Sequence, residues 1–190
     1  MSILKIARMG HPVLLQPARA VAPEAIAADA DLQRLIDDMI ETLADAGGVG
    51  LAAPQVFAGR RAILAMSPAE RGSEDEAAPL TVLINPELEL IRPDDAELGW
   101  EGCLSIPGLR GAVPRAPEVR YRGYGRDGAL VEGHAKGFFA RVLQHEVDHL
   151  DGVLYPMRMQ DFRYFGFDEE LNRLEAEARQ AEGSAGGEDA

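Results

Sequence analysis

Four short segments, which lie between two helical patterns, restrict the possible folds more than any other feature of this sequence. They are rich in β-prone residues, are separated by Pro, Gly and Asp, and cover residues 61–66, 80–91, 118–124 and 130–136. Short runs bounded by turn residues are typical of β-strands joined by tight connections. We therefore predict mostly antiparallel strands.

Amphipathic patterns predict the helices. Between residues 31 and 43 apolar side chains recur every three or four positions, and Gly47 and Gly48 end the pattern. Residues 138–150 show the same spacing and are followed by Asp151-Gly152. This spacing places the apolar residues on one face of an α-helix. A third, acidic helix is predicted from residue 168 to about residue 182, and the last eight residues are expected to be frayed or disordered.

Two connecting segments have no regular pattern. Residues 48–55 are rich in glycine, which favours a loop or a bent strand over a helix. Residues 67–79 carry several acids and are predicted to form a solvent loop between two strands. At a length of 190 residues one domain is the default expectation.

The charge balance excludes one class of function. The chain has 19 Lys or Arg and 32 Asp or Glu, a formal net charge of −13, which excludes a generally basic protein that binds phosphates; no direct DNA binding is expected. Apolar residues make up 46% and charged residues 27%, as in folded soluble proteins. We find no signal-peptide pattern and no apolar run long enough to span a bilayer, so we expect a cytoplasmic protein without a membrane partner.

The most specific local feature is His145-Glu-Val-Asp-His149, inside the second predicted helix. Positions i and i+4 of a helix lie on one face, so both imidazoles can reach one cation. Glu146 projects beside them, where it can contact a water without being a ligand, as a general base must. We interpret the pattern as a metal site. The alternative is two ordinary helix histidines and a glutamate that pairs with a cation.

A catalytic metal of this kind usually takes three protein ligands, so one ligand is missing from the helix. Four downstream acids on the polar terminal helix are candidates: Glu169, Glu170, Glu175 and Glu177. The upstream candidate is Cys103, the single cysteine, on backbone that the neighbouring Gly102 and Pro107 predict to be exposed and non-helical. A lone cysteine is more often a packing residue, but its combination with the two histidines favours a ligand.

An acyl-transfer step at such a site would also need hydrogen-bond donors for a developing oxyanion. Gln55 ends the glycine-rich segment and could supply a side-chain amide. The alternatives are a surface glutamine at this position and a plain turn at Gly48 and Gly50, and from these residues alone the alternatives are favoured.

Three separated motifs, in this order and at these separations, resemble the signature blocks of peptide deformylase: Gly48-Val-Gly-Leu-Ala-Ala-Pro-Gln55, Glu101-Gly-Cys-Leu-Ser105 and Gln144-His-Glu-Val-Asp-His-Leu150. The resemblance extends from about residue 6 to residue 167. It implies an α+β fold, in which a central metal-binding helix packs against antiparallel β-sheets, with an N-terminal amphipathic helix and a C-terminal helix. It also implies a single catalytic domain over residues 1–167, followed by an acidic helix and flexible tail over residues 168–190.

The same resemblance implies the reaction and the residues that perform it. The reaction is removal of the N-formyl group from the N-terminal methionine of newly synthesised polypeptides, with release of formate. The metal ligands carried over by motif are Cys103, His145 and His149. The catalytic groups carried over are the acid/base Glu146 and two oxyanion donors, the Gln55 amide and the Leu104 backbone N–H. The substrate-binding residues carried over are Gly50 and Arg110.

The implied cofactor is one divalent metal ion, typically Fe²⁺, which Zn²⁺, Ni²⁺ or Co²⁺ can replace. The implied partners are N-formylmethionyl nascent peptides, met at the ribosome. One position departs from the family pattern, because many members have Gly two positions after the glutamine, where this chain has Phe57.

Two other functions are compatible with parts of the pattern. A metalloendopeptidase could use His145, Glu146 and His149, and would not depend on Cys103. A non-catalytic relative could bind a metal or nascent chains without turnover, but it would need neither Glu146 nor Gln55.

Overall fold

A computed structural model describes residues 2–71 and 77–185 of the chain. It contains three α-helices: α1 (Ala30–Ala46), α2 (Gly137–Leu150) and α3 (Asp168–Ala185). The described strands are β1 (Gly50–Ala52), β2 (Ala62–Ser67), β3 (Ala78–Ile91), β4 (Glu97–Cys103), β5 (Ile106–Arg115), β6 (Glu118–Tyr124), β7 (Leu130–Lys136) and β8 (Phe165–Phe167). Helices and antiparallel strands together confirm the predicted α+β class.

Among the described residues, the larger sheet has five strands in the order β1-β2-β3-β6-β7, and all of its neighbouring pairs are antiparallel. Its two faces are covered by different helices, because successive side chains of a strand point to opposite sides. The face that packs with α1 includes Ala62, Leu64 and Ile84. The face that packs with α2 includes Ile63, Ala65 and Leu83.

Within residues 2–71 and 77–185, the smaller sheet has three antiparallel strands in the order β4-β5-β8. It carries a separate apolar cluster that includes Leu14, Ile106, Val113, Leu154 and Tyr155. Gln144 of α2 fastens this sheet to the helix, since its Nε2 donates to the Ala116 carbonyl at 2.9 Å and its Oε1 accepts from the Ala116 N–H at 3.1 Å. Helix α2 is therefore held against both sheets.

The helical predictions are close to the structure. Asp29 caps α1 by accepting from the backbone N–H groups of Asp31 and Leu32, and Gly47 ends the helix at φ 64°. A left-handed residue at this position is a usual helix terminator. α2 begins one residue before the predicted range and ends at Leu150, as predicted.

Strands β4, β5 and β8 were not predicted from the sequence. Their segments are interrupted by glycine and proline, and β4 leaves Leu98 and Trp100 exposed, so they lack the alternation that marks a half-buried strand. β4 and β5 form strands because they pair with each other through backbone hydrogen bonds, which the order of apolar and polar residues does not predict.

Two predicted irregular segments are shorter than expected. Ser67 pairs with Ala78, so β2 and β3 extend into the predicted solvent loop, and residues 72–76 of that loop lie outside the described residues. Helix α3 continues to Ala185, three residues into the predicted frayed tail, because each added residue of a formed helix gains one more backbone hydrogen bond. Residues 186–190 lie outside the described residues.

None of the described helices has the length and apolar character needed to span a bilayer.

Phe57 adopts a left-handed conformation, with φ 64°, at the end of a 3-10 turn over Ala53–Val56. A side chain in this region costs about 1 kcal/mol or more, which glycine avoids. The exposed Phe57 ring contacts His11 edge-on, with ring centroids 5.0 Å apart. The backbone therefore follows the path that a glycine would favour at this position.

We expect Phe57→Gly to be more stable than Phe57→Ala by about 1 kcal/mol, because both variants lose the ring and only the alanine keeps the left-handed strain. Urea denaturation of the two variants measures the difference in the free energy of unfolding. Equal stabilities would show that the backbone relaxes out of this conformation without cost.

Candidate metal centre

The structure brings Cys103, His145 and His149 together. Their potential ligand atoms all lie within 4.8 Å of one another, and Cys103 Sγ is 3.2 Å from His149 Nε2. The two imidazoles come from successive turns of α2 and meet edge to face, with centroids 5.0 Å apart. Cys103 ends β4 and is presented from the opposite side by the β4–β5 turn.

This group suits a divalent transition metal. Two imidazoles and one thiolate form an established three-ligand set that leaves one position open for water or substrate. His149 Nδ1 and Glu146 Oε2 are buried and have no hydrogen-bond partner among the described residues. Buried polar atoms are normally satisfied, so the unpartnered Glu146 oxygen indicates that further atoms bind beside the candidate ligands.

Cys103 is half-buried, not exposed as its flanking residues predict. It packs with the apolar cluster of the smaller sheet, and the register of the β4–β5 pair shifts between Gly102 and Cys103. Its Sγ accepts from the backbone N–H of Ser105 at 3.4 Å. The predicted non-helical backbone is confirmed, but tertiary packing covers it.

Glu101 orients His145, a role that the sequence analysis did not assign. Glu101 Oε2 lies 2.9 Å from His145 Nδ1, which leaves His145 Nε2 to face the other ligands. A carboxylate behind a metal-binding histidine fixes the orientation of its ring. The only local signal in the sequence was a glutamate two residues before the cysteine on the same strand face.

The Glu101 carboxylate belongs to a buried ionic network. Arg115 donates from Nε to Glu101 Oε1 at 2.8 Å and from Nη2 to Glu101 Oε2 at 3.0 Å. Burial raises the pKa of Glu101, but hydrogen bonds from His145 and Arg115 outweigh it and lower the value to about 2. Glu101 therefore stays ionised behind His145.

The network continues on α2 through Asp148. Arg115 Nη1 donates to Asp148 Oδ2 at 2.6 Å, and Arg158 Nη2 donates to Asp148 Oδ1 at 2.7 Å. Burial lowers the pKa of Arg115, but Glu101 and Asp148 raise it above its usual value. A fixed positive charge is thus held between the strand that carries Glu101 and the helix that carries the histidines.

Glu146 lies between the histidines and the glycine-rich segment. Its residue is almost fully buried, and a Cβ added to Gly50 would overlap its carboxylate. The absence of a side chain at Gly50 therefore allows the close approach of β1 and α2. Burial raises the pKa of Glu146 to about 7. A carboxyl group with such a value can both accept and return a proton near neutral pH.

Gln55 is buried rather than at the surface. Its Oε1 accepts from the Ala52 N–H at 2.8 Å, and this bond turns Nε2 toward the metal centre. Nε2 lies 3.1 Å from Ser105 Oγ and 3.6 Å from Cys103 Sγ. The amide is therefore held with its donor side beside the candidate ligands.

A cavity of about 280 Å³ opens beside these groups. Gly50, Gln55, Leu104, Cys103, His145 and Glu146 line it together with an apolar wall, which consists of Val49, Trp100, Phe138 and Val142. The candidate catalytic residues and the apolar wall therefore line the same cavity. This is the usual form of a small-molecule or peptide-end site.

Arg110 is not among the described residues that line the cavity. Its Nη2 donates to Glu175 of α3 at 2.7 Å, and its guanidinium lies 5.2 Å from the centroid of the Trp100 ring. The side chain of Arg110 therefore contacts Trp100, which lines the cavity, and pairs with the C-terminal helix.

Comparison with known proteins identifies the family. The polypeptide deformylase profile matches residues 3–164. "Peptide deformylase 2" of Pseudomonas putida is 49% identical over 172 residues, which cover 89% of this chain and 94% of that protein. The crystal structure of class I type b peptide deformylase from Acinetobacter baumannii with bound Met-Ala-Ser is 38% identical, covers 82% of this chain and 99% of that chain, and has a TM-score of 0.72.

A more distant structure has the same architecture. Peptide deformylase from Ehrlichia chaffeensis, solved in complex with actinonin, is 28% identical, covers 94% of this chain and 99% of that chain, and has a TM-score of 0.77. The profile match includes all three motifs and every strand and helix from α1 to α2. The chain therefore belongs to the polypeptide deformylase family.

Proposed function

We propose that this chain removes the N-formyl group from the N-terminal methionine of newly synthesised polypeptides and releases formate in a metal-dependent hydrolysis. The observation that carries the proposal is the position of Glu146. Its buried carboxyl group lies beside the Cys103, His145 and His149 cluster and faces the same cavity. This is the arrangement that a general acid/base beside a metal centre needs.

The metal ligands in this proposal are Cys103, His145 and His149. The cofactor is one divalent ion, Fe²⁺ in the first place, with Zn²⁺, Ni²⁺ or Co²⁺ as replacements. When bound, such an ion polarises a carbonyl and lowers the pKa of water. Glu101 holds His145 by its Nδ1 at 2.9 Å, so the opposite ring nitrogen is kept for the metal.

Glu146 moves the proton in the proposed reaction. Its carboxylate accepts a proton from the attacking water and returns it to the departing amine. The Gln55 amide and the Leu104 backbone N–H stabilise the negative charge that develops on the formyl oxygen. The Ala52 bond to Gln55 Oε1 supports this role, because it fixes the direction of the amide before substrate binds.

Substrate binding is assigned to the cavity and its edges. The wall of Val49, Trp100, Phe138 and Val142 suits an unbranched apolar side chain such as methionine. The Met-Ala-Ser complex of the Acinetobacter relative supports a peptide with an N-terminal methionine. Gly50 would offer backbone hydrogen bonds to that peptide, and Arg110 would bind its backbone after exchanging Glu175 for the substrate.

The proposed partners are N-formylmethionyl nascent peptides at the ribosome, in the cytoplasm. The slight positive balance of residues 102–167, with nine Lys or Arg against seven acids, is compatible with acidic peptides. Neither DNA nor a membrane is part of the proposal.

The test is formate release from a formyl-Met tripeptide by protein loaded anaerobically with Fe²⁺. We expect formate from wild-type protein, and we expect Cys103→Ser to lose most of its bound metal and its activity, because a hydroxyl is a much weaker metal ligand than a thiolate. Elemental analysis gives the metal content. No formate from the loaded wild-type protein would overturn the proposal.

Peptide cleavage, metal content and peptide binding, measured on the same protein, separate the alternatives. A metalloendopeptidase would cleave an unformylated peptide internally and keep full metal content in Cys103→Ser. A non-catalytic relative would bind the peptide under reducing, oxygen-free conditions without turnover.

A further inference from the structure

The Arg141 guanidinium has a position that the proposed reaction does not explain. Arg141 precedes His145 by four residues, so both side chains lie on one face of α2. Its side chain is only 13% exposed. It donates to four oxygens: Glu97 O at 2.7 Å, Val113 O at 2.8 Å, Glu101 Oε1 at 3.0 Å and Gly99 O at 3.4 Å.

These acceptors connect the two elements that carry the candidate ligands. Glu97, Gly99 and Glu101 belong to β4, whose last residue is Cys103. Arg141 itself belongs to α2, which carries both histidines. β4 is an edge strand of the described three-stranded sheet, and Val113 belongs to the neighbouring strand β5, so this single side chain binds both strands to α2.

Gly99 provides the space for this contact. A Cβ at residue 99 would lie 2.7 Å from Arg141 Nη2 and 2.8 Å from Arg141 Cζ, closer than real contacts allow. Gly99 is not among the glycines with positive φ, so its backbone conformation is open to other residues. Position 99 therefore lacks a side chain because the Arg141 guanidinium occupies the space, and not because the strand backbone requires glycine.

We propose that Arg141 is a positioning residue of the metal centre, which holds Glu101, and through Glu101 the ring of His145, in the orientation that metal binding requires. Glu101 Oε1 accepts from Arg141 while Glu101 Oε2 binds His145 Nδ1 at 2.9 Å. The Arg115 side chain binds the same carboxylate, but none of its described hydrogen bonds goes to the β4 backbone. Arg141 fixes both the carboxylate and its strand. The inference rests on the proposed function, because it assigns a metal to this site.

The test measures Co²⁺ binding to the metal-free full chain by titration, with the cobalt–thiolate absorption band as the signal. We expect Arg141→Met to weaken Co²⁺ binding about 10- to 100-fold, the usual effect of removing a group that supports a metal ligand. kcat for formate release falls by a similar factor. Arg141→Lys recovers part of both, because one ammonium can bind Glu101 but cannot reach all four oxygens.

Gly99→Ala tests the same inference without removing the charge. Its methyl group displaces the guanidinium, so we expect weaker Co²⁺ binding in this variant as well. The matched controls are Arg120→Met, an exposed arginine paired with Glu89, and Gly59→Ala, whose Cβ meets no atom within 4 Å. Both controls keep Co²⁺ affinity within about twofold of wild type, since neither touches a group that supports a ligand.

Wild-type Co²⁺ affinity and an unchanged cobalt–thiolate band in folded Arg141→Met would overturn the inference. If that variant fails to fold, the Gly99→Ala titration decides in its place. Wild-type protein that binds Co²⁺ but releases no formate would refute the proposed function, while the affinity comparison would still decide the role of Arg141.

Discussion

Glu146→Gln is expected to lower kcat for formate release by about 10²- to 10⁴-fold, the usual contribution of a general acid/base. Glutamine has nearly the same shape as glutamate, so it fills the space against Gly50, but it cannot accept the water proton. The metal content is expected to stay at the wild-type level, because Cys103, His145 and His149 remain. Formate release under saturating formyl-Met tripeptide, beside elemental analysis of the same sample, measures both.

Two further variants make this prediction specific. Glu146→Asp keeps a carboxyl group but shortens its reach, so its kcat should lie between those of wild type and Glu146→Gln. Glu132→Gln, at an exposed position of β7, makes the same chemical change away from the cavity and should leave kcat unchanged. Undiminished formate release by Glu146→Gln would show that Glu146 is not the general acid/base of the reaction.

The positions of the histidines could be predicted because the relevant geometry is local. A spacing of four residues on a helix brings His145 and His149 to one face wherever the helix packs. The same holds for Glu146 between them. The burial of this face required tertiary structure, since α2 packs against the larger sheet and the glycine at position 50 admits the Glu146 carboxylate.

The support behind the ligands could not be predicted, because it depends on contacts between elements distant in sequence. Glu101 reaches His145 across 44 residues, and Arg115 reaches Asp148 across 33. Strands β4 and β5, which carry Glu101 and Arg115, do not alternate clearly between apolar and polar residues. Their pairing could therefore not be predicted from sequence periodicity. The pairing of the Glu101 carboxylate with the Arg115 guanidinium can be recognised only from the three-dimensional positions of both side chains.

Arg115→Met is expected to lower the free energy of unfolding by about 3 kcal/mol, toward the lower end of the range for breaking a buried ion pair. Arg115 is 6% exposed and is bound by both Glu101 and Asp148. Its removal leaves two buried carboxylates with fewer partners. The cost stays near the lower end because Arg141 still binds Glu101 and Arg158 still binds Asp148.

Urea denaturation followed by the fluorescence of Trp100, the single tryptophan, measures this change. The matched control is Arg120→Met on β6, where the arginine is 65% exposed and the ion pair with Glu89 is solvated. Exposed pairs contribute about 0–1 kcal/mol, so the control should change stability by no more than that. If the free energy of unfolding falls by the same small amount in both variants, the Arg115 network does not stabilise the fold. The role of Arg115 near His145 would then be to orient the metal centre through Glu101.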